Sequence, residues 1–229
     1  VIDINNYTGK TILILGGGTS TLDSKWENLD YDCVWTCNEF YLEPRVLNID
    51  IELYILAHTV DLLNKKLVSK FKKSTSTVLV EPRHFRDKIY SSEFSTFCKI
   101  IDIPVIKKDL DLPPSPAGWS GVTFRLILLA LQTNAKQIYF AGFDGFNRQF
   151  SNIHAFTKHP GLKDTDTRRT YEGTDKSYTT IFTEAYRWLA MQPGHGRLQN
   201  LGEGFDYNIG TPLSKKYFPL TKEVYDKIR

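Results

Sequence analysis

Cysteine is scarce in this chain and unpaired in spacing. Cys33, Cys37 and Cys98 are the only three among 229 residues, and no two form a C-x-x-C pair. An odd count with that spacing argues against a disulfide framework and against a cysteine zinc site. Cys33 and Cys37 lie in an apolar, strand-like stretch and read as reduced core residues, so a reducing, cytoplasmic setting is expected. Long apolar runs are missing as well. The longest, Val122 to Leu131, is interrupted by Thr123 and Arg125, short of the roughly 18–20 residues that a membrane span needs. The opening has no signal-peptide pattern; it starts at Val1 rather than Met, as an excised domain or a trimmed chain would. Charge of one sign barely prevails: Lys and Arg exceed Asp and Glu by 29 to 26, a net +3. That is far from the strongly basic balance of a nucleic-acid binder. The densest basic cluster is Lys65, Lys66, Lys70, Lys72 and Lys73. It reads as a solvated helix face, with the inner surface of an anionic membrane or an acidic partner as the alternative.

What is present is a soluble-globular composition, 41 % apolar and 24 % charged, enough to exclude wholesale disorder. Short apolar runs ending in turn residues recur along it. Thr11–Leu15 ends in Gly16-Gly17-Gly18, Cys33–Cys37 in Asn38, and Glu52–Leu56 in Ala57-His58. Thr77–Val80 ends in Glu81-Pro82, and Gln137–Ala141 in Gly142-Phe143-Asp144. Ile103–Ile106 is a weaker strand, its proline suited to an edge, and Leu198–Leu201 is the last. Helices are predicted over Val60–Phe71, Gly121–Leu131 and Tyr178–Met191. The alternation predicts an α/β fold: a Rossmann-like, mostly parallel sheet with helices on both faces. The helix at 121–131 is apolar nearly all round and should pack on the sheet. Ser120 is placed to cap it, and Gly121 permits close approach to its start. Thr19-Ser20-Thr21 offers hydroxyls to cap a helix after the first strand. Residues 145–177 are long and polar, and read as a lid or flexible loop on one nucleotide-binding domain spanning 1–229.

Ligands of open α/β sheets bind beyond the carboxyl ends of the strands. The residues expected on that rim are Gly16, Gly17, Gly18, Thr19 and Ser20, then Asn38, His58, Arg83 and His84, Ser120 and Gly121, and Asp144. Gly16–Ser20 follows a strand, where backbone amides can cradle a phosphate; a tight turn is the other reading. The third glycine of a dinucleotide fingerprint would fall at Thr21, and no Walker-type lysine follows. Asn38 reads as a turn residue or as an amide for a phosphate or sugar oxygen. Asp144 reads as a ligand for a ribose hydroxyl or a metal, or as a turn cap. No histidine pair has metal-ligand spacing. His154 and His159, in the 145–177 segment, are candidate general bases delivered on closure.

These same residues resemble a bacterial sialyltransferase family that uses CMP-sialic acid, and more distantly the group containing the archaeal 6-hydroxymethylpterin diphosphokinases. The family's G-x-G-P-S-L loop is matched by Gly16-Gly17-Gly18-Thr19-Ser20-Thr21-Leu22. Its R-C-N-Q-F-Y strand end is matched by Thr36-Cys37-Asn38-Glu39-Phe40-Tyr41. Its S-G-V helix start and following K-E-I-Y-L-S-G-I-D-F-Y are matched by Ser120-Gly121-Val122 and by Lys136 through Phe146. The three landmarks keep their order over the first two-thirds of the chain. The resemblance implies a Rossmann-like domain with a lid, a nucleotide-sugar donor and inverting transfer with no required metal or cofactor. By position, Gly16–Ser20, Asn38, Ser120 and Gly121 would contact the CMP part of the donor. The chain departs at Gly17, where the family has Asn, and at Thr19, where it has Pro. The family's general-base histidine would fall near Ser177, where none lies; Tyr171 and Tyr178 are the candidates for its lid tyrosines.

Three functions follow. The first is a sialyltransferase-like glycosyltransferase passing a sugar from a CMP-activated donor to a glycan acceptor. The second is a magnesium-dependent diphosphokinase of the pterin type, with Asp144, Asp164, Asp166 and Asp175 as candidate metal ligands. The third is a nucleotide- or glycan-binding domain without turnover.

Overall fold

A computed structural model describes residues 3–56, 64–72, 77–80, 99–102, 121–144, 178–202, 205–206, 211–212 and 217–229. Seven short strands form one sheet in which every neighbouring pair runs parallel. They are β1 (Thr11–Leu15), β2 (Cys33–Cys37), β3 (Leu53–Leu56), β4 (Thr77–Val80), β5 (Lys99–Asp102), β6 (Gln137–Ala141) and β7 (Leu198–Asn200). Their order is β5-β4-β3-β2-β1-β6-β7. A two-residue antiparallel pair, β8 (Phe205–Asp206) and β9 (Thr211–Pro212), stands apart. The fold is α/β and Rossmann-like. The chain adds strands in one direction from β1 to β5, then returns to place β6 on the other side of β1. The reversal point of such a sheet lies beside β1, where ligands of these folds collect.

The sequence pattern explains β1. Ile12, Leu13, Ile14 and Leu15 are all buried, as expected of a strand covered on both faces. Each such side chain contributes about 1.5–3 kcal/mol by leaving water. Helix α4 (Gly121–Gln132) packs on β1, β2, β3 and β6. Its residues 126–131 are buried without a break, so the near-uniform apolarity read from the sequence reflects contacts on all sides. Phe124 packs against Trp188 of α5 (Tyr178–Leu189), with ring centroids 6.0 Å apart.

The remaining helices are short. They are α1 (Ser20–Asp23), α2 (Pro44–Leu47), α3 (Lys65–Lys72) and α6 (Lys222–Ile228). Arginines hold the helix ends in two places. Arg45 donates to the carbonyls of Leu22 at 2.7 Å and Ser24 at 2.9 Å, pairs with Glu27, and stacks over the Trp26 ring at 4.9 Å. Trp26 Nε1 donates to the Thr21 carbonyl at 2.9 Å. The last turn of α1 is thereby satisfied by side chains. Arg197 does the same for α4, donating to the carbonyls of Leu131, Thr133 and Ala135 at 2.7–2.9 Å.

Strands β1, β2, β4 and β6 keep the expected bounds, and β3 begins one residue late at Leu53. Helix α5 stops at Leu189 rather than Met191, because Met191 N turns to the Trp188 carbonyl and the chain tightens toward Gly194 at φ +78°. In α3, Leu67 is buried while Lys65 and Lys66 are exposed, and Lys70 donates to the Ile49 carbonyl. The strand expected at 103–106 and the segment 145–177 lie outside the described residues, while the helix expected from Val60 begins at Lys65, after Asn64, whose Oδ1 accepts from Lys66 N at 3.0 Å.

The Arg197 contacts make a test of this frame. Replacing Arg197 by Met should cost about 2–3 kcal/mol, because it strips hydrogen bonds made by a charged group from three carbonyls. In a chain this size that is a fall in Tm of roughly 4–12 °C, readable by calorimetry. Lysine should recover only part, since a point charge cannot fork to three acceptors.

Candidate functional site

The carboxyl ends of β1 and β6 meet in a joint built around one carboxylate. Asp144 Oδ2 accepts from Ser20 N at 2.8 Å and from Thr19 Oγ1 at 3.5 Å, and Oδ1 accepts from Ser20 Oγ at 2.5 Å. Ser20 Oγ accepts in turn from Gly142 N at 2.7 Å. The hydroxyls of residues 19–21 therefore do not cap α1, as the sequence led one to expect. Thr19 makes no side-chain cap; it and Ser20 turn to Asp144. Thr21 Oγ1 donates back to the Gly16 carbonyl at 2.7 Å.

The approach is close enough to require glycine. A Cβ on Gly16 would lie 2.3 Å from Thr123 Oγ1 and 2.7 Å from the Gly142 carbonyl oxygen. One on Gly18 would lie 2.5 Å from Asp144 Oδ2, and one on Gly202 2.3 Å from Asp144 Oδ1. Gly142 adds a left-handed φ of +73° and a would-be Cβ 2.3 Å from the Gly16 carbonyl oxygen. Side-chain strain and overpacking would both oppose substitution there.

Most of the loop's amides are already committed. Gly16 N donates to the Ala141 carbonyl, Gly18 N to Gly142, Thr21 N to Gly18 and Leu22 N to Thr19. Ser20 N goes to Asp144. Five of the seven amides from Gly16 to Leu22 thus donate inside the protein. The glycines permit a tight joint between strands.

Strand β2 ends beside this loop. Asn38 follows it with φ +46°, the only non-glycine residue at positive φ among those described. Asparagine tolerates that region better than most residues. Its amide donates to the Ile55 carbonyl at 3.0 Å. Cys37 Sγ sits 3.8 Å from Thr123 Oγ1, which brings the first turn of α4 against the ends of β1 and β2. Gly121 opens that turn at φ +79°, exposed, with nothing within 4 Å of where a Cβ would stand. Of the expected rim residues, Gly18, Thr19, Asn38 and Gly121 therefore reach the surface. Gly16, Gly17 and Ser20 are buried, and Asp144 is partly buried behind them. Ser120, His58, Arg83, His84, His154, His159, Tyr171, Ser177, Asp164, Asp166 and Asp175 lie outside the described residues.

Burial raises the Asp144 carboxyl above its usual range, against the bonds from Ser20 and Thr19 that favour its charge. Burial likewise pushes the Cys37 thiol up to about 12, a thiol rather than a thiolate at neutral pH. Among the described residues no group of three or more His, Cys, Asp or Glu could hold a metal ion. Three residues here were not expected at the site: Thr123, whose hydroxyl lies 3.8 Å from the Cys37 sulfur, and Tyr186 and Asn200, whose side chains meet at 3.0 Å. Only the small residue and the strand-end position of Gly142 and Gly202 hinted at close packing.

The whole arrangement is similar to a solved structure of the sialyltransferase CstII from Campylobacter jejuni in complex with a substrate analogue, cytidine-5'-monophosphate. The TM-score is 0.56, covering 96 % of this chain and 97 % of that one, at 16 % identity. At that identity the likeness is one of fold: this chain has a sialyltransferase-like Rossmann fold. A structure of the sialyltransferase CST-II with trisaccharide acceptor and CMP gives TM-score 0.48 over 95 % of this chain and 98 % of that one, at 13 % identity. No protein-family model matches the chain, and no curated protein matches it in sequence.

Two outcomes test the site's electrostatics. A carboxyl whose folded pKa is raised gives its stabilisation while protonated and loses it as pH rises through the folded value. The stability of the wild type relative to Asp144→Asn should therefore decline as pH rises above about 4, in paired thermal melts. A flat or rising difference would contradict a carboxyl raised by burial. Iodoacetamide at pH 8 should leave Cys37 unmodified in the folded protein and modify it in urea, by peptide mass mapping.

Proposed function

We propose that this chain is a sialyltransferase-like glycosyltransferase, moving a sugar from a CMP-activated donor to a glycan acceptor. The observation that carries the reading is the convergence of Thr19, Asn38 and Gly121 at the sheet's reversal point. These come from the three separated segments that resemble the family's donor-binding landmarks. The likeness of fold to a structure containing CMP supports the same placement. On this reading Gly18, Thr19, Asn38, Ser120 and Gly121 face the nucleotide, while Gly16, Gly17, Ser20 and Asp144 hold the wall behind it.

In the reaction, an acceptor hydroxyl attacks the anomeric carbon as the bond to the CMP phosphate oxygen breaks, with inversion. A base takes the hydroxyl proton, for which His154 and His159 remain the candidates. Donors at the rim offset the charge growing on the leaving phosphate. The diphosphokinase reading has less support at Asp144, whose two oxygens both already accept hydrogen bonds. Residues 1–229 as one cytoplasmic domain, with the Lys65–Lys73 cluster a solvated helix face, is the accompanying proposal.

The test is thermal unfolding against CMP, CMP-sialic acid, UDP- and GDP-sugars and ATP, each with and without magnesium. A ligand at about 100 times its Kd stabilises by about 2.7 kcal/mol, a shift of roughly 5–10 °C here. The expected result is a shift with CMP that does not need magnesium and that Asn38→Ala reduces at least threefold in affinity. A magnesium-dependent ATP shift with CMP silent would move the assignment to the diphosphokinase. Binding of CMP without transfer from CMP-sialic acid would leave a binding domain.

A further inference from the structure

Behind the Asp144 joint runs a chain of buried hydrogen bonds that the donor-site reading does not use. Tyr186, on α5, is fully buried, and its hydroxyl donates to the carbonyl of Phe143. The same hydroxyl accepts from Asn200 Nδ2 at 3.0 Å. Asn200 Oδ1 accepts from Gly202 N at 2.9 Å. The Tyr186 ring stacks on Phe143 at 4.9 Å between centroids and 14° between planes. Each polar atom of both side chains thus has a partner, as a buried network must if it is to be tolerated.

The position of the acceptor matters most. The Phe143 carbonyl belongs to the peptide that leads directly into Asp144. The residue before it, Gly142, holds φ +73°. Tyr186 therefore fixes the plane of the peptide from which the Asp144 side chain departs, while Asn200 fixes the turn that brings Gly202 against Asp144 and Ser20. We infer that Tyr186 and Asn200 are positioning residues: they set Asp144, and through it Thr19 and Ser20, in the orientation that a nucleotide meets. The inference rests on the donor-site reading for its ligand, but not for its geometry.

The variants are Tyr186→Phe, which removes the hydroxyl and keeps the ring, and Tyr7→Phe as a control. Tyr7 is also buried, just before β1 at the opposite ends of the strands, its ring edge-on to Trp35 at 4.9 Å between centroids. Two readouts are taken at 25 °C: Kd for CMP by calorimetry, and exchange of individual amides by NMR. Tyr186→Phe should weaken CMP about fivefold, the worth of one ordinary hydrogen bond, and Tyr7→Phe less than twofold. The amides of Gly18, Ser20 and Gly142 should exchange about tenfold faster in Tyr186→Phe, with those of β2 unchanged. A purely structural role would instead speed all core amides alike.

Unchanged affinity in Tyr186→Phe, or equal losses in both variants, overturns the inference. If the wild type binds no CMP, the proposed function fails, and the exchange pattern alone decides the positioning role. Should Tyr186→Phe not fold, Asn200→Ala takes its place, with the same three amides expected to speed and their constancy overturning the inference.

Discussion

A single carboxylate, Asp144, ties together the ends of three strands. It accepts from the loop after β1, follows directly from β6, and sits where Gly202 after β7 must come within contact. Hydrogen bonds to a charged acceptor are worth about 1.5–3 kcal/mol each when geometry is good. Here they offset the cost of holding an acid away from water. The closeness of this joint explains why residues 16, 18, 142 and 202 are all glycine.

Rigidity is the functional content of such an arrangement. A donor site that must hold a charged leaving group benefits from dipoles fixed before the ligand arrives. The loop after β1 is braced on two sides: at its start by Asp144 and Gly142, at its far end by Arg45 and Trp26 around α1. The Tyr186–Asn200 chain adds a third brace from the direction of α5. The Tyr186–Asn200 chain lies among the rings of Phe143 and Phe218, where low dielectric strengthens each bond and penalises its loss.

Much of the fold was legible because buried parallel strands write themselves as short unbroken apolar runs. Thr11–Leu15 and Cys33–Cys37 could hardly be read otherwise, and Gly121–Leu131 was apolar enough to fix a buried helix. Strand order was not legible, since no local pattern says that β6 returns beside β1. At the site, the rim position of Gly16–Ser20, Asn38, Gly121 and Asp144 followed from strand ends alone. Their division of labour did not. A glycine that admits a phosphate and one that admits a neighbouring carbonyl look alike in a sequence, and an aspartate reads the same whether it faces a ligand or a serine 124 residues away. Tyr186 and Asn200 sit in ordinary amphipathic and strand patterns, so only three dimensions reveal that they meet.

The strand order has a consequence for how the chain comes to be folded. The partner on one side of β1 is β2, a short distance along; the partner on the other is β6, whose residues 137–141 lie far downstream. During synthesis this buried apolar strand therefore waits with an open edge while more than half the chain is made. Pairings of such sequence separation slow folding, and an unpaired apolar edge is a template for the wrong neighbour. The protein's exposure to aggregation is thus concentrated in the interval before residue 141 leaves the ribosome, and a cell that makes it in quantity has most need of a holding chaperone then.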